Sequence, residues 1–118
     1  MKEVAWIEVE RKIFQFKIGT EYSVEFDLLE LWQENIHSQE EENVFFCHTH
    51  PFEDKPHISE QDKECIKAIN LMFGKEFIYD FVIVGNKEFV VYNRFMDQVD
   101  TGTNIHVDNI MIGISKCV

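Results

Sequence analysis

Val44-Phe45-Phe46-Cys47-His48-Thr49-His50-Pro51, followed eight positions after Pro51 by Ser59-Glu60-Gln61-Asp62, decides how this chain reads. Val44 to Cys47 is an unbroken apolar run, the pattern of a buried strand. His48 and His50 stand two apart at the end of that strand, so on extended backbone both rings project to the same side. Pro51 to Ile58 is a loop with two prolines, long enough to fold back on itself. Ser59 then opens a helix and Asp62 sits one turn in. Two imidazoles and a carboxylate make a three-ligand zinc set with a fourth position left for water, as in hydrolytic rather than structural zinc. A hydroxyl is a poor zinc ligand, so Ser59 is better suited to donate to a developing oxyanion. Ser-x-x-Asp alone is also an ordinary capping box, and His-x-His alone can be two surface histidines. The conjunction of the two carries the reading.

Working outward, Lys2 to Val9 and Lys12 to Ile18 read as strands with Glu10-Arg11 turning between them. A helix is expected from Ser23 or Asp27 to about Ile36. Asp27 and Glu30 form its capping box, and Leu28, Leu29, Trp32 and Ile36 make its apolar face. A polar loop from His37 to Asn43 carries Glu40-Glu41-Glu42. The helix that begins at Ser59 buries Ile66, Ile69, Met72 and Phe73 and stops at Gly74. Phe81-Val82-Ile83-Val84 and Phe89-Val90-Val91-Tyr92 flank Gly85-Asn86-Lys87, a hairpin signal. A last strand is expected between Ile105 and Ile114. The sum is an α/β (α+β) chain, one domain over residues 1–118, with a mixed sheet flanked by helices.

The chain has 118 residues, 45% of them hydrophobic, and 11 Phe, enough for one core without disulfides. Cys47, Cys65 and Cys117 lack CxxC spacing and read as reduced thiols. Cys47 neighbours His48 on a strand and should face the opposite side. No apolar run of about 18 residues exists and Met1-Lys2-Glu3-Val4 has no signal-peptide character, so a cytoplasmic protein without a membrane span is expected. The formal net charge of −11 argues against nucleic acid, which binds through Lys and Arg, and favours a basic or polar protein tail as partner. His37, His57 and His106 read as surface residues.

Hydrolysis also needs a proton shuttle that is not a ligand. Glu3, Glu8 and Glu10 lie on or beside the first strand, from which a carboxylate could reach the metal, whereas Glu21, Glu25 and Glu30 fall on or near the first helix. Spacing does not choose among them.

His48-Thr49-His50-Pro51 and Ser59-Glu60-Gln61-Asp62 resemble the two central blocks of the JAB/MPN metalloprotease family, also called JAMM, whose signature adds an upstream Glu. The stretch from Phe73-Gly74 to Val84-Gly85-Asn86 looks like its prokaryotic RadC-like branch, and the resemblance spans roughly residues 3 to 93. It implies a JAB/MPN-like sandwich, related in outline to cytidine deaminases, with His48, His50 and Asp62 on Zn2+ and Ser59 as oxyanion donor. Glu3-Val4-Ala5-Trp6-Ile7 is the closest match to the family's first strand, so the resemblance favours Glu3 as acid/base with Glu8 in reserve. Ala5-Trp6 stands where the family usually has Cys-Gly. The implied activity is a zinc metallopeptidase or isopeptidase acting on a protein or peptide, such as the C-terminal tail of a ubiquitin-like or sulfur-carrier protein. A non-catalytic scaffold domain of the same fold is the alternative. A nucleobase deaminase would need His-x-Glu and Pro-Cys-x-x-Cys, which the chain lacks.

Overall fold

The computed structural model describes residues 2–10, 12–34 and 44–103. Within them the elements run β1 (Val4–Val9), β2 (Lys12–Ile18), α1 (Leu28–Gln33), β3 (Val44–Thr49), α2 (Glu60–Phe73), β4 (Asp80–Val84), β5 (Glu88–Asn93) and β6 (Gln98–Thr103). The six strands form one mixed sheet in the order β2-β1-β3-β4-β5-β6. β3 and β4 pair in parallel, joined by the α2 crossover, and the other neighbours are antiparallel. The architecture is α+β, as the alternation of elements predicts.

The central strands carry apolar side chains on both faces. Ile7, Phe46, Phe81, Ile83 and Val90 point to one side and pack with Leu31 of α1 and with Ile66, Ile69 and Phe73 of α2. Phe46 is fully buried, with edge-on ring contacts to Phe26 and Tyr79 at centroid separations of 5.2 Å each. Val4, Trp6, Cys47 and Val84 form a second cluster on the other side. Cys47 therefore faces away from His48, as strand alternation requires.

α1 is shorter than its sequence pattern implies. Asp27 caps it by accepting from the Glu30 backbone N–H (3.1 Å), but the helix ends at Gln33, and Ile36 lies outside the described residues. Its buried residue is Leu31, while Leu29 and Trp32 are exposed. One turn and a half of helix is too short for periodicity to fix its face. A buried Gln15 on β2 sets that face, donating to the Asp27 carbonyl (3.0 Å) and accepting the Asp27 N–H (2.8 Å). β6 was not signalled by the sequence, because Gln98-Val99-Asp100-Thr101 is polar and belongs to a sheet edge. The strand expected at Ile105 to Ile114 lies outside the described residues, as do His37, His106, Cys117 and the Glu40–Glu42 run. Among the described residues, no helix is long and apolar enough to cross a membrane.

α2 follows its sequence signals closely. Ser59 and Asp62 make a reciprocal capping box, and Gly74 ends the helix at φ 83°, a left-handed conformation that suits glycine. The β4–β5 turn has a further duty. The Asn86 N–H donates to the Glu53 carbonyl (2.7 Å), and those of Lys87 and Glu88 donate to the Asp54 carbonyl (3.1 and 3.0 Å). Gly85 permits this approach, since a Cβ there would lie 2.6 Å from the Glu53 oxygen and 2.7 Å from that of Asp54. Gly85→Ala is expected to destabilise the protein by about 1–3 kcal/mol through this overpacking. Urea denaturation measures it, and an unchanged midpoint would contradict the contact.

Candidate metal centre

β3 delivers the two imidazoles at its carboxyl end. The β1–β3 ladder ends at Ala5 opposite His48. Beyond that pair the Val4 N–H turns to the Thr49 hydroxyl (3.0 Å), and the His50 N–H donates to the Val84 carbonyl (2.8 Å). His48 and His50 thus stand at the carboxyl ends of the parallel pair, where crevices form in sheets of this kind. Pro51 presets the turn that follows, closed by the Glu53 N–H on the His50 carbonyl (3.2 Å). The loop then returns the chain so that α2 starts beside the histidines.

Asp62 meets them from the first turn of α2. Its Oδ1 lies 2.7 Å from His48 Nε2 and its Oδ2 lies 3.2 Å from His50 Nε2. The two Nε2 atoms are 3.1 Å apart. All three residues are buried. Their donor atoms lie within 4.8 Å of one another and could hold a metal ion. In a tetrahedral site with bonds of about 2.0–2.1 Å, neighbouring ligand atoms are separated by about 3.3 Å. The 3.1 and 3.2 Å separations fall slightly inside that value, and the 2.7 Å contact of His48 with Asp62 is a direct hydrogen-bond distance that an ion would widen. Both Nε2 atoms and the carboxylate converge on one point, and the residues present therefore fit a divalent ion.

Ser59 and Glu3 line the same cavity of about 280 Å³. The Ser59 Oγ accepts the Asp62 N–H (3.1 Å), and the Asp62 Oδ2 accepts the Ser59 N–H (2.9 Å). Capping therefore uses the serine as acceptor and leaves its O–H to donate elsewhere. Glu3 precedes β1 and is held by the chain just after β2, its N–H on the Thr20 carbonyl (2.7 Å) and its carbonyl on the Gly19 N–H (2.9 Å). Glu8 does not border the cavity. It points to the opposite face and accepts from the Trp6 indole N–H (3.2 Å). Glu10 ends the strand exposed to solvent at φ 52°. The spatial choice among these glutamates is one of parity: Glu3, Ala5 and Ile7 share the face of His48, and Glu8 does not.

The cavity also has residues to which the sequence alone assigned no part in the site. Glu53 Oε2 lies 2.5 Å from His50 Nδ1. A carboxylate three residues beyond a His-Pro turn was the available signal. His57, expected to face solvent, is exposed, and its N–H and Nδ1 each lie 3.4 Å from Glu53 Oε1. Glu21, Tyr22 and Phe52 border the opening, with Tyr22 79% and Phe52 67% exposed. His48 Nδ1 is buried and has no partner among the described residues.

Charge in the cluster is strongly coupled. Burial alone would raise Asp62, but hydrogen bonds from His48 and His50, with the Ser59 N–H, hold it far below the usual carboxylate range. Burial alone would lower His50, yet the hydrogen bond to Asp62 and the charges of Asp62 and Glu53 raise it above its ordinary value. Glu3 is raised by burial, against the pull of His48 and His50. Three carboxylates thus surround two imidazoles, and the site attracts positive charge. Cys65, one turn beyond Asp62 at the cavity wall, is pushed up to about 12 by burial and the nearby Asp62 charge, so it stays a thiol.

No protein-family model matches the chain, and no curated protein matches it either.

The shifts fix the sign of a pH effect on the metal-free protein. The raised His50 contributes stability that is fully present below its ordinary 6.5 and is lost as pH rises through the folded value. The raised Glu3 acts in the same direction, from 4.5 upward. The lowered Asp62 contributes stability that is present above 3.8 and is lost as pH falls below it. With chelator present, the urea midpoint should therefore be highest in mild acid and should fall as pH rises above 6.5. A midpoint that climbs there would contradict the assignment.

Proposed function

We propose that this protein is a zinc-dependent metallopeptidase of the JAB/MPN type, hydrolysing an amide bond in an extended protein tail. The observation that carries the reading is the convergence of His48, His50 and Asp62 at one point of a cavity that Glu3 and Ser59 also line. Two imidazoles and one carboxylate, with an open side toward the cavity, form the donor set of hydrolytic zinc. The parallel β3–α2–β4 unit brings the His48–His50 strand end and the Ser59–Asp62 helix start to one place, as the proposed chemistry requires.

A zinc ion held by the three side chains would supply Lewis acidity, activating water near neutral pH and polarising a carbonyl. The remaining work falls to the chain. Glu3, whose carboxyl is raised above its ordinary value by burial, takes a proton from the attacking water as the new C–O bond forms. The Ser59 hydroxyl donates to the oxygen that gains charge. Glu3 then passes its proton to the departing nitrogen as the C–N bond breaks. The cavity is open at a rim of exposed aromatic and acidic side chains, Tyr22, Phe52, Glu21 and Glu53. Such a rim suits a flexible polar or basic tail, as at the C-terminus of a ubiquitin-like or sulfur-carrier protein, and repels phosphate backbones.

Metal analysis of the parent should find one zinc per chain, lost in His48→Ala. A ubiquitin-like protein carrying a C-terminal extension, followed by intact mass spectrometry, tests cleavage. Glu3→Gln should retain zinc but lose about 10²–10⁴-fold in rate, whereas Glu8→Gln should match the parent. A parent that binds no zinc, or a Glu3→Gln protein of full activity, would refute this mechanism.

A further inference from the structure

We infer that Glu53 is a positioning residue for the metal centre, orienting His50 through its far ring nitrogen, and that the loop after β3 is folded to hold it there. The inference rests on the metal-site reading above and deepens it. Glu53 Oε2 lies 2.5 Å from His50 Nδ1, whereas Nε2 of the same ring faces His48 and Asp62. The two nitrogens therefore have separate duties. A proton on Nδ1, donated to Glu53, leaves the lone pair of Nε2 directed at the convergence point of the three ligands. Lying across the ring from that point, the Glu53 carboxylate is neither a fourth ligand nor a competitor of Glu3. Carboxylates that take the outer N–H of a metal-binding histidine fix its tautomer and raise its basicity, and their loss costs about 10–100-fold in metal affinity.

The backbone places Glu53 independently of its side chain. The turn at Pro51 brings the Glu53 N–H onto the His50 carbonyl, and the Glu53 carbonyl accepts the Asn86 N–H (2.7 Å). The second carboxylate oxygen faces the His57 N–H and ring at 3.4 Å, so the group is held from both sides. His48 offers an internal contrast. Its Nδ1 has no partner among the described residues, and packing against Phe81, at a centroid separation of 5.1 Å, sets its ring. One imidazole is thus aimed by a carboxylate and the other by an aromatic wall.

Zinc affinity, measured by competition with a chromophoric chelator at fixed pH, tests the assignment on parent, Glu53→Ala and Glu53→Gln. Far-ultraviolet dichroism checks that each is folded. Glu53→Ala should bind zinc about 10–100-fold more weakly. Glu53→Gln, whose amide oxygen still accepts from Nδ1, should recover part of the loss, a rescue that a merely structural role would not show. In metal-free parent, nitrogen NMR should find the His50 Nδ1 proton hydrogen-bonded, and Glu53→Ala should lose that signature. A Glu53→Ala protein binding zinc within threefold of the parent would overturn the role of Glu53 alone. A parent that fails to bind zinc while the Nδ1 signature is present would instead overturn the metal reading beneath it. Should Glu53→Ala not fold, an unaltered affinity in Glu53→Gln together with an absent Nδ1 signature in the parent would overturn the proposal equally.

Discussion

The carboxylate of Asp62 is the interaction on which the structure turns. It closes the capping box of α2 through the Ser59 N–H and at the same time faces both imidazoles of β3. A buried anion without partners costs several kcal/mol, so the helix start and the strand end must be brought together for either to be satisfied. The positive end of the helix dipole contributes in the same sense. Folding α2 onto the sheet and assembling the site are in this respect one event.

The same economy governs the loops. Pro51 and Gly85 belong to different turns, yet both act on residues 53 and 54: the first by bending the chain back from His50, the second by letting the β4–β5 turn donate to their carbonyls. The walls of the cavity are therefore fastened to the two central strands rather than to each other alone. Preorganisation of this kind keeps the donor atoms converged, at the cost of crowding carboxylates around two imidazoles. The upward shift of His50, drawn up by Asp62 and Glu53 against its burial, expresses that crowding as an appetite for positive charge, which a divalent cation would satisfy better than a proton.

Much of this was legible in the sequence, for identifiable reasons. β3, α2 and the β4–β5 hairpin have strong local signals: apolar runs buried on both faces, a serine and an aspartate three apart, and a glycine turn between β-branched stretches. Strand parity alone put Cys47 opposite His48. α1 was less legible, because a six-residue helix has no reliable period and Gln15, distant in sequence, decides which face is buried. β6 was missed since an edge strand need not be apolar. The rim formed by Glu21, Tyr22 and Phe52 is assembled from loops whose approach depends on the completed sheet. Glu53 escaped notice because its significance lies in a turn, and a turn has no periodicity to read.

The distinction between Glu3 and Glu8 shows how far parity reaches and where tertiary structure must take over. Both precede or occupy the same strand, and both carry the same group. Glu8 shares its face with Trp6 and Cys47, where its carboxylate accepts from the indole and adds to the burial that raises the Cys47 thiol. Glu3 shares its face with Ala5, directly opposite His48 in the ladder. Ala5 is fully buried, and its single methyl group is the smallest side chain that keeps a strand while leaving room beside an imidazole. Parity thus assigns Glu3 to the face of the histidines, and the completed sheet brings its carboxylate to the lining of the cavity that His48, His50 and Asp62 share.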